Sequence, residues 1–237
     1  MMVVSCSEIG PLNHAGHTFG SSLKGVPLEV FLPVEQSPKI LLMASIHGDE
    51  SISTVLLSEC LRSMEPSVLK SAVILSANPD GTLVGTRCNA GGVDLNRNFP
   101  SQNWVADPVF YRNRKGGPQD IPLSPGSSAG SEPETQAIMG LIDKISPKLI
   151  VSLHGFLNCI DDPQSSTIAM DLARRTNMEV VPDVGYETPG SFGSWCAEKQ
   201  IPIITYELPF LPMDELRKIH NPVLSDLMTG HYEALLG

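Results

Sequence analysis

Ile40-Leu41-Leu42-Met43-Ala44-Ser45-Ile46-His47-Gly48-Asp49-Glu50 reads as an apolar strand that runs straight into a charged turn. A strand with one wet face alternates apolar and polar residues, whereas a strand covered on both faces is apolar throughout. Ile40–Ser45 does not alternate, so it belongs inside a sheet. Ser51–Ser63 follows with helical spacing: Ile52, Val55, Leu56, Leu57 and Leu61 share one broad face, and Pro66 comes after the stop. Leu28–Leu32, Ala72–Ala77, Leu149–Leu153 and Ile201–Tyr206 read as further strands. Ala169–Thr176 and Asp214–Leu236 read as helices, and Ser131-Glu132-Pro133-Glu134 as a capping box that opens another. The expected fold is α/β: a single domain over residues 1–237, with a mixed, mostly parallel sheet and helices on both faces.

Composition narrows the function. The 237 residues are 41% hydrophobic and 18% charged, and 16 Lys+Arg against 26 Asp+Glu give a net charge of −10. No basic cluster exceeds Arg112-Asn113-Arg114-Lys115, so neither nucleic acid nor an anionic membrane is an expected partner. No apolar run is long enough to span a bilayer. Five cysteines, an odd number without a CxxC pair, suit a reduced chain. The N-terminus has no basic segment followed by a long apolar one. A cytoplasmic protein is expected, with homo-oligomerisation left open.

In a sheet of this kind, ligands gather beyond the carboxyl ends of the strands. Four apolar runs end in polar residues: His47–Glu50, Asn78-Pro79-Asp80, Ser152-Leu153-His154 and Thr205-Tyr206-Glu207. The expectation is that four strands deliver His, Glu, His and Glu to one edge. His47 and Glu50 are three apart on the way into a helix, which places them on one face. With His154 they form a His₂Glu set, and three protein ligands with a vacant fourth position is the pattern of catalytic zinc. Taken singly, each is also what an ordinary helix face or core contains.

Residues 84–130, rich in Gly, Pro, Asn and Ser, read as a long surface excursion, and Asn78-Pro79-Asp80-Gly81 as a turn. Within the excursion, Asn96 and Arg97 suit a carboxylate, because a guanidinium fork grips two oxygens and an amide adds a donor. Asp94 could orient a liganding histidine, and Arg87 could face the same site. Gly126-Ser127-Ser128-Ala129-Gly130 matches G-x-S-x-G but lacks the preceding apolar strand that a nucleophile elbow needs. His14, His17, His220 and His231 are expected to be solvated.

The chain resembles the M14 zinc carboxypeptidases. The likeness is carried by His47-Gly48-Asp49-Glu50, Asn78-Pro79-Asp80-Gly81, Gly92–Phe99, Ser152-Leu153-His154 and Tyr206-Glu207, in the family's order. It implies Zn²⁺ held by His47, Glu50 and His154, with Glu207 as general base and Asp94 behind His47. It further implies that Arg87 steadies the oxyanion, that Asn96 and Arg97 take the substrate's free carboxylate, and that Tyr186 closes over the peptide. The stretch Gly185–Cys196 is similar to family members that cleave the γ-D-glutamyl–meso-diaminopimelate amide of small murein peptides, which implies peptidoglycan recycling. A related branch of N-acyl amino acid deacylases shares His-x-x-Glu followed by Asp-Leu-Asn-Arg and is the alternative. Two features depart from digestive members: Asp49 stands where they carry Arg, and residues 98–130 align poorly.

Overall fold

A computed structural model describes residues 10–34, 37–113 and 119–237. Cys6, Arg114 and Lys115 therefore lie outside the described residues. One mixed sheet holds eight strands: β1 (Gly16–Ser21), β2 (Pro27–Phe31), β3 (Ile40–Ala44), β4 (Ala72–Ile74), β7 (Leu149–Gly155), β8 (Cys159–Asp161), β9 (Glu179–Val181) and β10 (Ile203–Leu208). A separate hairpin pairs β5 (Val109–Asn113) with β6 (Gln119–Leu123). The spatial order of the large sheet is β1-β2-β4-β3-β7-β10-β8-β9. Its centre is parallel, from β4 through β3 and β7 to β10. Antiparallel pairing joins β1 to β2, β2 to β4 and β10 to β8.

The helices are α1 (Ile52–Arg62), α2 (Pro79–Val84), α3 (Pro133–Ile145), α4 (Thr167–Thr176), α5 (Phe192–Glu198) and α6 (Met213–Met228). All five residues of β3 are buried, as the absence of alternation requires. Ile40, Leu42 and Ala44 pack with Leu56, Leu172 and Leu224 of α1, α4 and α6. Leu41 and Met43 pack with Ile138 of α3 and with Phe192 and Trp195 of α5. Both faces are thus covered, as expected.

Several local expectations need correction. Asn78-Pro79-Asp80-Gly81 is not a free turn but the start of α2: the Asn78 side chain caps it by accepting from Gly81 N at 3.0 Å. The capping box at Ser131 does not form. The α3 N-cap is Glu132, without a side-chain cap bond, and Glu134 instead accepts from Leu23 N and Asn89. The excursion over 84–130 is anchored rather than superficial, because Leu95 and Phe99 are fully buried and Asn98 donates to the carbonyls of Pro125 and Ser128. The last helix stops at Met228, and a separate 3₁₀ turn follows at Glu233–Leu235. His220 is buried against the Tyr206 hydroxyl at 2.7 Å, and His14 against the Met64 carbonyl at 3.1 Å. Neither is solvated.

The chain reverses its direction of travel across the sheet between β3 and β7. From β3 it crosses through α1 to β4 on one side; from β7 it reaches β10 on the other. A crevice opens where such a reversal occurs, at the carboxyl ends of the strands.

Candidate metal centre and substrate cleft

Three strands, not four, supply the edge. β3 delivers both His47 and Glu50, the latter through a single 3₁₀ turn at Gly48–Glu50. β7 carries His154 and β10 carries Glu207, at paired positions of the parallel ladder. The end of β4 contributes no ligand; Asp80 is tied instead to Ser22 and Lys24 N.

Tight backbone packing holds the 3₁₀ turn in place. A Cβ on Gly48 would lie 2.1 Å from the Gly81 carbonyl carbon and 2.5 Å from the Thr86 carbonyl oxygen, so no side chain fits there. Gly48 N also bonds to the Arg87 carbonyl at 3.2 Å, coupling the turn to the segment that carries Arg87. On β7 and β10 one sheet face changes character along its length. Ile150 sits in the core with Ile203 packed against it, Ser152 and Thr205 come next, and His154 and Glu207 finish the row. A period of two makes these residues share a face.

His47 Nδ1 lies 2.9 Å from Glu50 Oε1, His154 Nδ1 lies 3.1 Å from Glu50 Oε2, and the two Nδ1 atoms are 3.2 Å apart. The three residues are buried, and their ligand atoms fall within 4.8 Å of one another. The far ring nitrogens are faced from behind: His154 Nε2 meets the Ser152 hydroxyl at 3.1 Å, and His47 Nε2 lies 3.3 Å from Asp94 Oδ1, at ion-pair distance without hydrogen-bond geometry. Two imidazoles backed this way, with their other nitrogens turned on one carboxylate, fit a tetrahedral cation such as Zn²⁺.

Charge supports the same reading. Burial alone would raise the Glu50 carboxyl, but the two histidines override it and hold it well below the usual carboxylate range. Asp94 is likewise held low against burial, by Arg87 first and then by His47. Glu207 goes the other way: burial, with the Glu50 charge adding and His154 opposing, pushes it up to about 7. Two buried carboxylates of one cleft are therefore driven to opposite protonation preferences.

The cleft around these groups encloses about 1340 Å³ and is lined by Arg87, Asn96, Arg97 and Tyr186 among others. Arg87 Nε bonds Asp94 Oδ2 at 2.9 Å, and its Nη1 lies 3.6 Å from Glu50 Oε1. Arg97 is only 2% exposed; Nη1 donates to the Asn96 carbonyl at 2.6 Å, while its buried Nε has no protein partner among the described residues. Burial without a carboxylate in contact pulls this guanidinium below its ordinary value. The Asn96 Oδ1 accepts from Phe192 N at 2.8 Å, which orients the amide. Tyr186 also lines the cleft and stands nearly half exposed. Its loop is pinned at Gly190, where φ is +68° and a Cβ would fall 2.3 Å from the Arg97 carbonyl oxygen.

His47, Glu50, Arg87, Asn96, Arg97, His154, Tyr186 and Glu207 therefore all line the cleft, and Asp94 lies behind His47. Ser152, quoted from sequence only as part of a strand end, is the backing partner of His154. Polar–apolar alternation along β7 was the signal for it. Ser128 of the G-x-S-x-G stretch sits in a loop after β6, and that strand belongs to the small hairpin rather than to the central sheet from which a nucleophile elbow would project.

A His–Glu–His centre at the reversal point of a mixed sheet, with a buried glutamate beside it, defines a metallopeptidase. The zinc carboxypeptidase family model matches residues 14–207, and the chain belongs to that family. Murein peptide amidase A of Escherichia coli strain K12 is 44% identical over 227 residues, covering 95% of this chain and 94% of that protein. The enzyme of the same name from Vibrio campbellii is 45% identical over 83% of this chain and 80% of its own length. The crystal structure of murein-tripeptide amidase from E. coli O157 superposes with a TM-score of 0.90 at 41% identity, covering 96% of this chain and 98% of that one. Bovine thrombin-activatable fibrinolysis inhibitor, at 19% identity and a TM-score of 0.74, shares the fold.

Proposed function

We propose that the chain, as one catalytic domain over residues 1–237, is a zinc-dependent hydrolase of murein tripeptide. It would cut the amide between γ-D-glutamate and meso-diaminopimelate in peptidoglycan recycling. The observation that carries this reading is the convergence of His47, Glu50 and His154 beside the buried Glu207, in the same cleft as the partner-poor Arg97. Extensive identity to murein peptide amidases supports the substrate and does not favour the deacylase alternative.

When bound at the triad, zinc supplies Lewis acidity of the kind that brings the pKa of water from 15.7 to about 7. Glu207 accepts the proton of the attacking water and passes it to the leaving amine of diaminopimelate. Arg87, braced by Asp94, stabilises the negative oxygen that develops on the scissile carbonyl; one such donor is typically worth about 10²–10³ in rate. Arg97 and the Asn96 amide hold the free carboxylate next to the cut bond, and Tyr186 closes over the peptide. Asp94 fixes the His47 ring. We place the reaction in the cytoplasm: Cys60, Cys88, Cys159 and Cys196 are free thiols, as a reducing compartment allows. No described helix is long and apolar enough to cross a membrane.

Mass spectrometry of L-Ala-γ-D-Glu-meso-diaminopimelate after incubation, with metal analysis of the same preparation, tests the proposal. Release of free diaminopimelate by a zinc-loaded protein is the expected result. An intact tripeptide alongside rapid hydrolysis of an N-acyl amino acid would overturn it.

A further inference from the structure

Asp161 is one of several cleft-lining carboxylates with no part in this chemistry. Asp161, the last residue of β8, is half-buried and lines the cleft. Its backbone is paired in the ladder, but its side chain makes no hydrogen bond or ion pair with any described residue. Its acidic neighbours are occupied: Asp162 accepts from Gln164 N at 3.0 Å and Ser166 N at 2.8 Å, and Asp183 accepts from Gly185 N at 2.7 Å. Burial, then Asp183 and Asp162, push the Asp161 carboxyl up to about 6, as befits a carboxylate without a donor.

Register fixes where Asp161 lies. It pairs with Thr205 across the β10–β8 ladder, while Glu207 pairs with Cys159. Thr205 and Glu207 share a face, about 6.8 Å apart along the strand, and adjacent strands are about 4.8 Å apart. The Cα atoms of Asp161 and Glu207 are therefore separated by about 8 Å. Small residues, Gly193, Ser194 and Ala197, line the cleft as well, leaving room for a side chain. The cleft also holds the buried Arg97, whose Nε lacks a partner. It thus offers an anion receptor and, separately, a cation receptor.

We infer that Asp161 binds the ammonium at the far end of the diaminopimelate side chain and so selects a diamino acid as the leaving group. The inference rests on the γ-D-glutamyl–diaminopimelate reading. The dimensions suit it: six bonds of about 1.5 Å, zigzagging at tetrahedral angles, put the scissile amide nitrogen and the far ammonium of extended diaminopimelate about 7.5 Å apart. A carboxylate that receives this ammonium gains the charge-assisted hydrogen bond that the protein does not supply.

Two tripeptides that differ in one group test the assignment: L-Ala-γ-D-Glu-meso-diaminopimelate and its analogue ending in L-2-aminopimelate, in which hydrogen replaces the far ammonium. The unsubstituted enzyme is expected to favour the first by about 10- to 100-fold in kcat/KM, mainly through KM. Asp161→Asn, which keeps the shape, should reduce that preference to about threefold or less, and Asp161→Ser gives the same comparison if the amide variant misfolds. Equal kcat/KM for the two peptides in the unsubstituted enzyme overturns the inference without any variant. A preference that survives in a folded variant overturns it too. An enzyme that cleaves neither peptide overturns the γ-D-glutamyl reading itself, and the inference with it.

Discussion

Glu207 and Arg97 are both buried charges, and each is destabilising until something completes it. A carboxyl raised from 4.5 to about 7 is favoured in the folded protein as the protonated form. Its contribution to stability is therefore fully present below about pH 4.5 and lost as pH rises through about 7. At about 1.36 kcal/mol per unit, the loss at alkaline pH is on the order of 3 kcal/mol. Glu207→Gln removes this penalty, so calorimetry of the metal-free variant should show a higher Tm than the unsubstituted protein at pH 8, with little difference at pH 4. The same substitution should cut kcat by about 10²–10⁴ while zinc content holds; residual turnover within tenfold of the original would place the base elsewhere. Arg97 is the converse case, a buried cation missing an anion. Arg97→Ala should raise KM about 100-fold on a substrate with a free carboxylate and leave zinc content alone. Arg97→Lys should recover only part of that, because an ammonium lacks the two-pronged fork. Steady-state kinetics of both variants against a carboxylate-amidated substrate would reveal whether the carboxylate is what Arg97 holds.

At the scale of elements, the centre depends on how closely the turn after β3 approaches α2. Gly48→Ala forces a Cβ into the Gly81 and Thr86 backbone, so the turn must move and carry Glu50 with it. A fall of at least tenfold in zinc affinity, measured by chelator competition, is the expected outcome. Gly140→Ala is the contrast: it lies within α3 with nothing inside 4 Å of the new Cβ and should stabilise by about 0.5–1 kcal/mol. What sequence could show at this scale follows from length and periodicity. β3, β7, α1 and α4 were legible because each is long enough to display an apolar run or a helical stripe. β8 and β9, at three residues each, carry no period, and β1 is mostly exposed. Asp161 escaped notice for that reason: its strand was invisible, so nothing placed it opposite Thr205. Asn78-Pro79-Asp80-Gly81 misled because turn formers are also helix N-cap and first-turn residues, and only the packing of Gly81 against the Gly48 turn decides between the two. His220 was misread because a helical histidine shows its burial only when its partner, Tyr206, is brought from another element.

The whole molecule is organised around the reversal between β3 and β7, where the triad bridges segments more than a hundred residues apart in sequence. Without a cation, two buried imidazole nitrogens 3.2 Å apart both face the Glu50 carboxylate. With one, all three donors are satisfied at a single point. The unfolded chain cannot assemble that point, so a metal that binds only the folded state stabilises by RT ln(1 + [L]/Kd), about 2.7 kcal/mol at a hundredfold excess over Kd. For a chain of this size that is an increase in Tm of about 5–10 °C. Scanning calorimetry of chelator-stripped protein, with and without added zinc, should show this increment. His154→Ala should abolish it, since the site then draws its donors from β3 and its turn alone. Glu207→Gln should retain it, because Glu207 stands beside the triad and not within it. Equal melting temperatures for the stripped and zinc-supplied protein would mean that the triad does not tie the two halves of the sheet together through a metal. A zinc increment that survived His154→Ala would move the ligand set away from β7.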